Sequence, residues 1–172
     1  SGTTAHIWDA ATGEELLSLR GHNQWACALA WSPDSSRVAT GSHDDTVRVW
    51  DAATGQTQLV LGAGNSVETV SWSPDGTKLS IGAKIGGNRV WDATTGEPRL
   101  TVDNGARELS EVVWSPDGTR LATSSYLSPR VLILDASTGD VVQALTAGED
   151  DVNDIAWSPD SERILTGLGE IG

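Results

Sequence analysis

The sequence of 172 residues has no Phe, no Met, a single Cys, and only 11 Lys plus Arg against 24 Asp plus Glu. Each shortage excludes something. One thiol cannot form an intrachain disulfide and supplies too few thiolates for a zinc cluster, so Cys27 is expected to act as a small buried hydrophobe. A formal charge of −13 leaves no basic surface for a phosphate backbone, and no nucleic-acid partner is expected. Apolar runs are short: the longest, Trp25–Trp31, has seven residues, against the roughly 20 that a membrane-crossing helix needs. The polar start Ser1-Gly2-Thr3-Thr4 carries no secretory apolar region, and a cytoplasmic location away from membranes is expected. With no initiating Met, the chain is expected to be processed, excised from something longer, or preceded by a removed tag, for which Ser1-Gly2 would suit a cleavage scar.

Against these absences stand eight Trp, and a repeat accounts for most of them. Trp-Ser-Pro-Asp begins at Trp31, Trp72, Trp114 and Trp157, at spacings of 41, 42 and 43. A second signature, Trp8-Asp9-Ala10-Ala11-Thr12-Gly13, returns at Trp50–Gly55, Trp91–Gly96 and, with Leu replacing Trp, Leu134–Gly139, at spacings of 42, 41 and 43. Two signatures holding one period four times mark a repeat array.

Turn chemistry divides each period. In Ser73–Gly76 and Ser115–Gly118, Pro presets the first corner, Asp bonds back to the backbone, and Gly accepts positive φ. Asp-Ala-x-Thr-Gly ends on a Gly suited to the left-handed position of a short hairpin loop. Short β-rich runs lie between the turns: Val67–Trp72, Lys78–Ile81, Asn88–Trp91 and Pro98–Val102. No segment carries a helical apolar stripe, so each period is read as four strands, a to d, in an all-β meander. Val131–Leu134 and Ala28–Trp31 are apolar on both faces. Such strands are covered on both sides, and stacking against neighbouring units supplies the cover.

These motifs resemble the WD40-repeat β-propellers along essentially the whole chain, with wording most like bacterial members. The resemblance implies propeller blades tied by a buried tetrad: a His before strand a, a Ser or Thr on strand b, an Asp in the b–c turn and the strand-c Trp. In the stretch Gly21–Asp51 these roles fall on His22, Ser42, Asp44 and Trp50. Later repeats depart from the pattern: Ala63, Gly105 and Gly148 stand where His22 does, the turn Asp is replaced around Ile85, and Leu134 replaces the Trp. The resemblance also implies a binding surface at the start of strand a and in the b–c turn. The matching positions are Trp25, Ser66, Glu108 and Asp151, with His43 and Lys84 from the turns; Trp25 leads among them because Trp is enriched at binding hot spots, with shielding of the interblade seam as the alternative role for its ring.

The chain opens on strands c and d (Thr4–Trp8, Glu14–Arg20) and closes on a and b (Asp151–Trp157, Glu162–Thr166). Blades are expected at 21–63, 64–105 and 106–147, with a fourth split between 1–20 and 148–172. Four blades of a type that closes in sevens or eights would have to subtend about 90° each instead of about 45–51°. A homodimer in which a–b of one copy pair with c–d of the other gives an eight-bladed ring with twofold symmetry. Other expectations are modest. His6 reads as structural. Ser, His and Asp occur together only in the tetrad, where they serve a buried Trp and leave no exposed nucleophile. Glu149-Asp150-Asp151 with Asp154 lacks a Ca²⁺-loop spacing, and the Gly-rich Gly62–Gly64 and Gly82–Gly87 do not precede a helix. No catalytic residue, cofactor or metal is expected. The leading reading is a non-catalytic scaffold that self-assembles and binds a protein or peptide. The alternatives are a fragment or engineered half-propeller whose only activity is self-assembly, and a channel-based hydrolase or small-ligand binder.

Overall fold

A computed structural model describes residues 2–84, 88–102, 109–125 and 128–169. Among these, every regular element is a strand, and no helix is long and apolar enough to cross a membrane. The sixteen strands form five antiparallel sheets in chain order. An N-terminal hairpin pairs β1 (Thr4–Trp8) with β2 (Glu15–Arg20). The first blade is β3 (Ala26–Trp31), β4 (Arg37–Ser42), β5 (Thr46–Asp51) and β6 (Thr57–Gly62). The second is β7 (Val67–Trp72), β8 (Lys78–Ala83), β9 (Asn88–Asp92) and β10 (Pro98–Val102). The third is β11 (Leu109–Trp114), β12 (Arg120–Ser125), β13 (Arg130–Asp135) and β14 (Val141–Thr146). A C-terminal hairpin pairs β15 (Asp151–Trp157) with β16 (Ile164–Gly169).

The turns form as their residues dictate. In Trp-Ser-Pro-Asp the serine hydroxyl donates to the Asp carboxylate, at 2.6 Å for Ser32–Asp34, Ser73–Asp75 and Ser115–Asp117, and accepts the N–H of residue 37, 78 or 120. The next position is left-handed in all four repeats: Gly76 and Gly118 adopt it freely, whereas Ser35 and Ser161 hold φ of 60° and 61° against the steric preference of an L-residue.

Strands β3, β7, β11 and β15 abut in succession along the inner edge, so the sheets stack radially as an open half-propeller. Four apolar clusters fill the four seams. Ile7 and Leu19 meet Val38 and Trp50; Val47, Val49 and Leu61 meet Val67, Val70 and Leu79. Val90 meets Val112, Trp114 and Leu134; Ala122 and Val131 meet Val152 and Ile155. The second blade is covered on both faces by its neighbours, as double-sided apolar strands require, whereas β3 of the first blade leaves Leu29 and Trp31 exposed.

Two strands differ from the sequence expectation by two residues or more at an end, and β2 and β9 by one residue. β8 runs to Ala83 instead of Ile81, and the last strand is Ile164–Gly169 instead of Glu162–Thr166. In both cases a Gly that reads as a terminator, Gly82 or Gly167, lies inside the ladder, paired with Thr69 or Asp154. The equivalent Gly41 shows why: a β-carbon there would collide with Val67 of the neighbouring blade.

Candidate interaction surface

The first blade carries a buried polar relay. His22 Nδ1 lies 2.9 Å from Asp44 Oδ2, and His22 Nε2 lies 2.7 Å from Thr40 Oγ1. Trp50 Nε1 donates to the same Thr40 oxygen at 2.8 Å. One proton arrangement satisfies the chain: Trp50 N–H to Thr40 oxygen, Thr40 O–H to His22 Nε2, and His22 Nδ1–H to Asp44. Burial opposes ionisation of Asp44, but bonds from Thr46, His22 and the Asn23 N–H outweigh it and hold the carboxyl at about 2. The expectation for Ser42 is therefore corrected. Ser42 is buried, yet its hydroxyl donates to the Gln24 carbonyl and accepts the Asp44 N–H, while Thr40 joins His22 to Trp50.

The later blades hold parts of this relay. By position in the repeat, Ile81 and Thr123 match Thr40. Ile81 leaves the buried Trp91 Nε1 without an acceptor, and Leu134 leaves Thr123 Oγ1 without the indole that would donate to it. Gly105 and Ile85, two of the substituted positions, lie outside the described residues.

Four of the six surface positions come together at the end of the half-ring that carries the b–c turns. The exposed Trp25 ring packs edge-on against His43, with centroids 5.2 Å apart. Glu68 of the next blade links this pair onward: its Oε1 lies 3.9 Å from His43 Nε2 and accepts from Ser66 Oγ at 3.2 Å. Lys84 is exposed, and its N–H donates to the Ser66 carbonyl. Asp151 begins β15 two blades away, half-buried. Glu108 lies outside the described residues. Cys27 is half-buried, with Sγ 3.1 Å from the Val67 carbonyl; desolvation pushes the thiol up, away from a reactive thiolate.

On the inner strands Glu111 escaped the sequence reading, and Asp154 was read only as part of an acidic cluster. Glu111 on β11 accepts the Ile155 N–H and faces Asp154 of β15, and burial with that second carboxyl pushes Glu111 up to about 7. The signal was available: Glu111 and Asp154 hold the same position in consecutive repeats, where the first two repeats have Ala28 and Thr69. Among the described residues, no three of His, Cys, Asp and Glu converge as metal ligands.

Comparison with known proteins fits these repeats. The family described as WD domain, G-beta repeat matches residues 13–51, and that of the anaphase-promoting complex subunit 4 WD40 domain matches residues 87–160. The chain is a WD40-repeat protein. Mouse coronin-7 (Mus musculus) is 49% identical over 45 residues, which is 26% of this chain and 5% of coronin-7. Ribosome assembly protein 4 of Saccharomyces cerevisiae is 43% identical over 37 residues, 22% of this chain and 7% of that protein. The chain thus spans a small fraction of these WD40 relatives. A crystal structure of the computationally designed Ika8 protein superposes with a TM-score of 0.83 at 24% identity, covering 97% of this chain and 50% of Ika8. That likeness concerns the fold.

Proposed function

We propose that this WD40 chain is a non-catalytic interaction scaffold, and that two copies join into one closed eight-bladed ring that presents the Trp25–His43–Ser66 surface to a protein or peptide. The observation that carries the reading is exposure at matched positions. Leu29 is 61% exposed, whereas its counterparts Val70, Val112 and Ile155 are 7%, 0% and 3% exposed. On the hairpin packed against the same blade, Trp8 is 57% exposed, whereas Trp50 is 1% exposed. Exposed apolar surface on this scale, beside unpaired strand edges at β1 and β16, marks an interaction face. A second copy supplies matching groups. Its Thr166 takes the role of Thr40 towards Trp8, and its exposed Arg163, paired within the chain to Asp160 at 3.3 Å, takes towards Trp31 the role that Arg37 plays towards Trp72.

Light scattering on the 172-residue chain tests this directly. Twice the 18.0 kDa chain mass is expected, falling to one chain in Leu165→Asp, which puts a charge on the split seam. A wild-type mass of one chain would remove the ring and leave the fragment reading.

A further inference from the structure

We propose that the seam between the second and third blades receives an arginine side chain from a partner polypeptide. The fold shows twice what fills this place. In the preceding seam, Arg37 lies 4.6 Å over the Trp72 ring and donates to the Gly76 and Ala93 carbonyls, both at 2.8 Å. In the following seam, Arg120 lies 5.0 Å over Trp157 and donates to the Ser161 carbonyl at 2.6 Å. Each guanidinium combines an aromatic face with backbone carbonyls, the pairing that suits its flat, weakly hydrated cation.

In the middle seam the residue at this position is Lys78. Its ammonium makes no hydrogen bond among the described residues, and a point cation cannot fork to two carbonyls. The receptor groups remain in place: the Trp114 ring, Gly118 and Ala136. They line two adjoining hollows of about 330 and 580 Å³ that share Lys78 and Gly118. Arg99 borders the larger hollow but is bound to Asp92 at 2.8 Å. Ser80, where the flanking blades have Ala39 and Ala122, donates to the Ser71 carbonyl, and the Trp114 N–H is left without the acceptor that Trp72 finds in Ala30.

Charge favours the same occupant. Asp75 and Asp117 flank the smaller hollow, and bonds from Ser73 and Ser115 hold both carboxyls at about 2, so both are ionised at neutral pH. The chain as a whole carries −13, which draws a basic segment toward it. The slot lies at the end bearing the a–b and c–d turns, opposite Trp25. It lies within one chain, so it stands whether or not the ring closes.

The test follows the tryptophan indole N–H resonances during titration with Nα-acetyl-arginine amide, with the Trp114 signal assigned by Trp114→Phe. A saturating shift at Trp114 with a Kd on the order of 1–10 mM is expected, with Nα-acetyl-lysine amide at least about tenfold weaker. Lys78→Arg should abolish the shift by filling the slot from within, and should raise Tm by a few degrees. Lys78→Met should bind at least as well as the wild type. The proposal is overturned by a silent Trp114 in the wild type, including the case where only Lys78→Met responds, because Lys78 then fills the slot itself. It is equally overturned by lysine matching arginine, or by Lys78→Arg retaining the shift.

Discussion

Thr40 collects two bonds on one hydroxyl, from the Trp50 indole and with the His22 ring, and nothing else among the described residues can take its place there. Thr40→Val and His22→Ala are each expected to cost about 1–3 kcal/mol in urea unfolding, because each leaves buried polar partners unsatisfied. Ser42→Ala should cost less, since Ser42 touches only the backbone at 3.3 and 3.1 Å. His22, Asp44 and Trp50 were legible in the repeat motif, but the strand-b hydroxyl was not. Thr40 and Ser42 stand two apart on one strand and therefore share a face, and only the depth of the indole separates them. The left-handed serines give a second contrast. Ser35→Gly should stabilise by about 0.5–1 kcal/mol by relieving a positive φ. Ser161→Gly should bring no gain, because the Ser161 hydroxyl accepts the Asp117 N–H at 3.0 Å and ties the C-terminal hairpin to the third blade.

Between elements, the seam of β11 and β15 carries the clearest pH dependence. Glu111 sits at about 7 in the folded chain and near 4.5 when exposed, so the folded state binds its proton more tightly. Stability from this group is complete below about 4.5 and is lost as the pH rises through about 7. Melting curves should show Tm falling across that window, and Glu111→Gln should flatten the decline and raise Tm above pH 8. The aspartates of the Ser-Pro-Asp turns act in a lower window: held at about 2, Asp34, Asp75 and Asp117 lose their contribution as the pH falls below about 4. Strand order and most strand limits followed from turn chemistry alone. The misplaced ends at β8 and β16 arose because glycine has two structural uses, breaking a strand and letting two backbones approach closely, and sequence spacing does not distinguish them.

At the scale of the whole molecule, three four-stranded units flanked by two two-stranded hairpins were legible from two interleaved periods. The middle seam was not, because Lys78 and Arg37 look interchangeable until the carbonyls around them are seen. The two hairpins stand at opposite ends of the array in separate sheets, so in the proposed two-chain ring β16 and β1 pair across copies. This separates the molecularity of folding into two parts. Each whole blade is a meander of strands adjacent in sequence, with short loops to close, and should form at a rate independent of protein concentration. In that ring, closure of the split blade should appear as a slower, second-order phase whose half-time halves when protein concentration doubles, and Tm should climb with total protein by mass action. Dilution, with no denaturant added, then becomes a means of uncoupling the hairpins from the three blades between them.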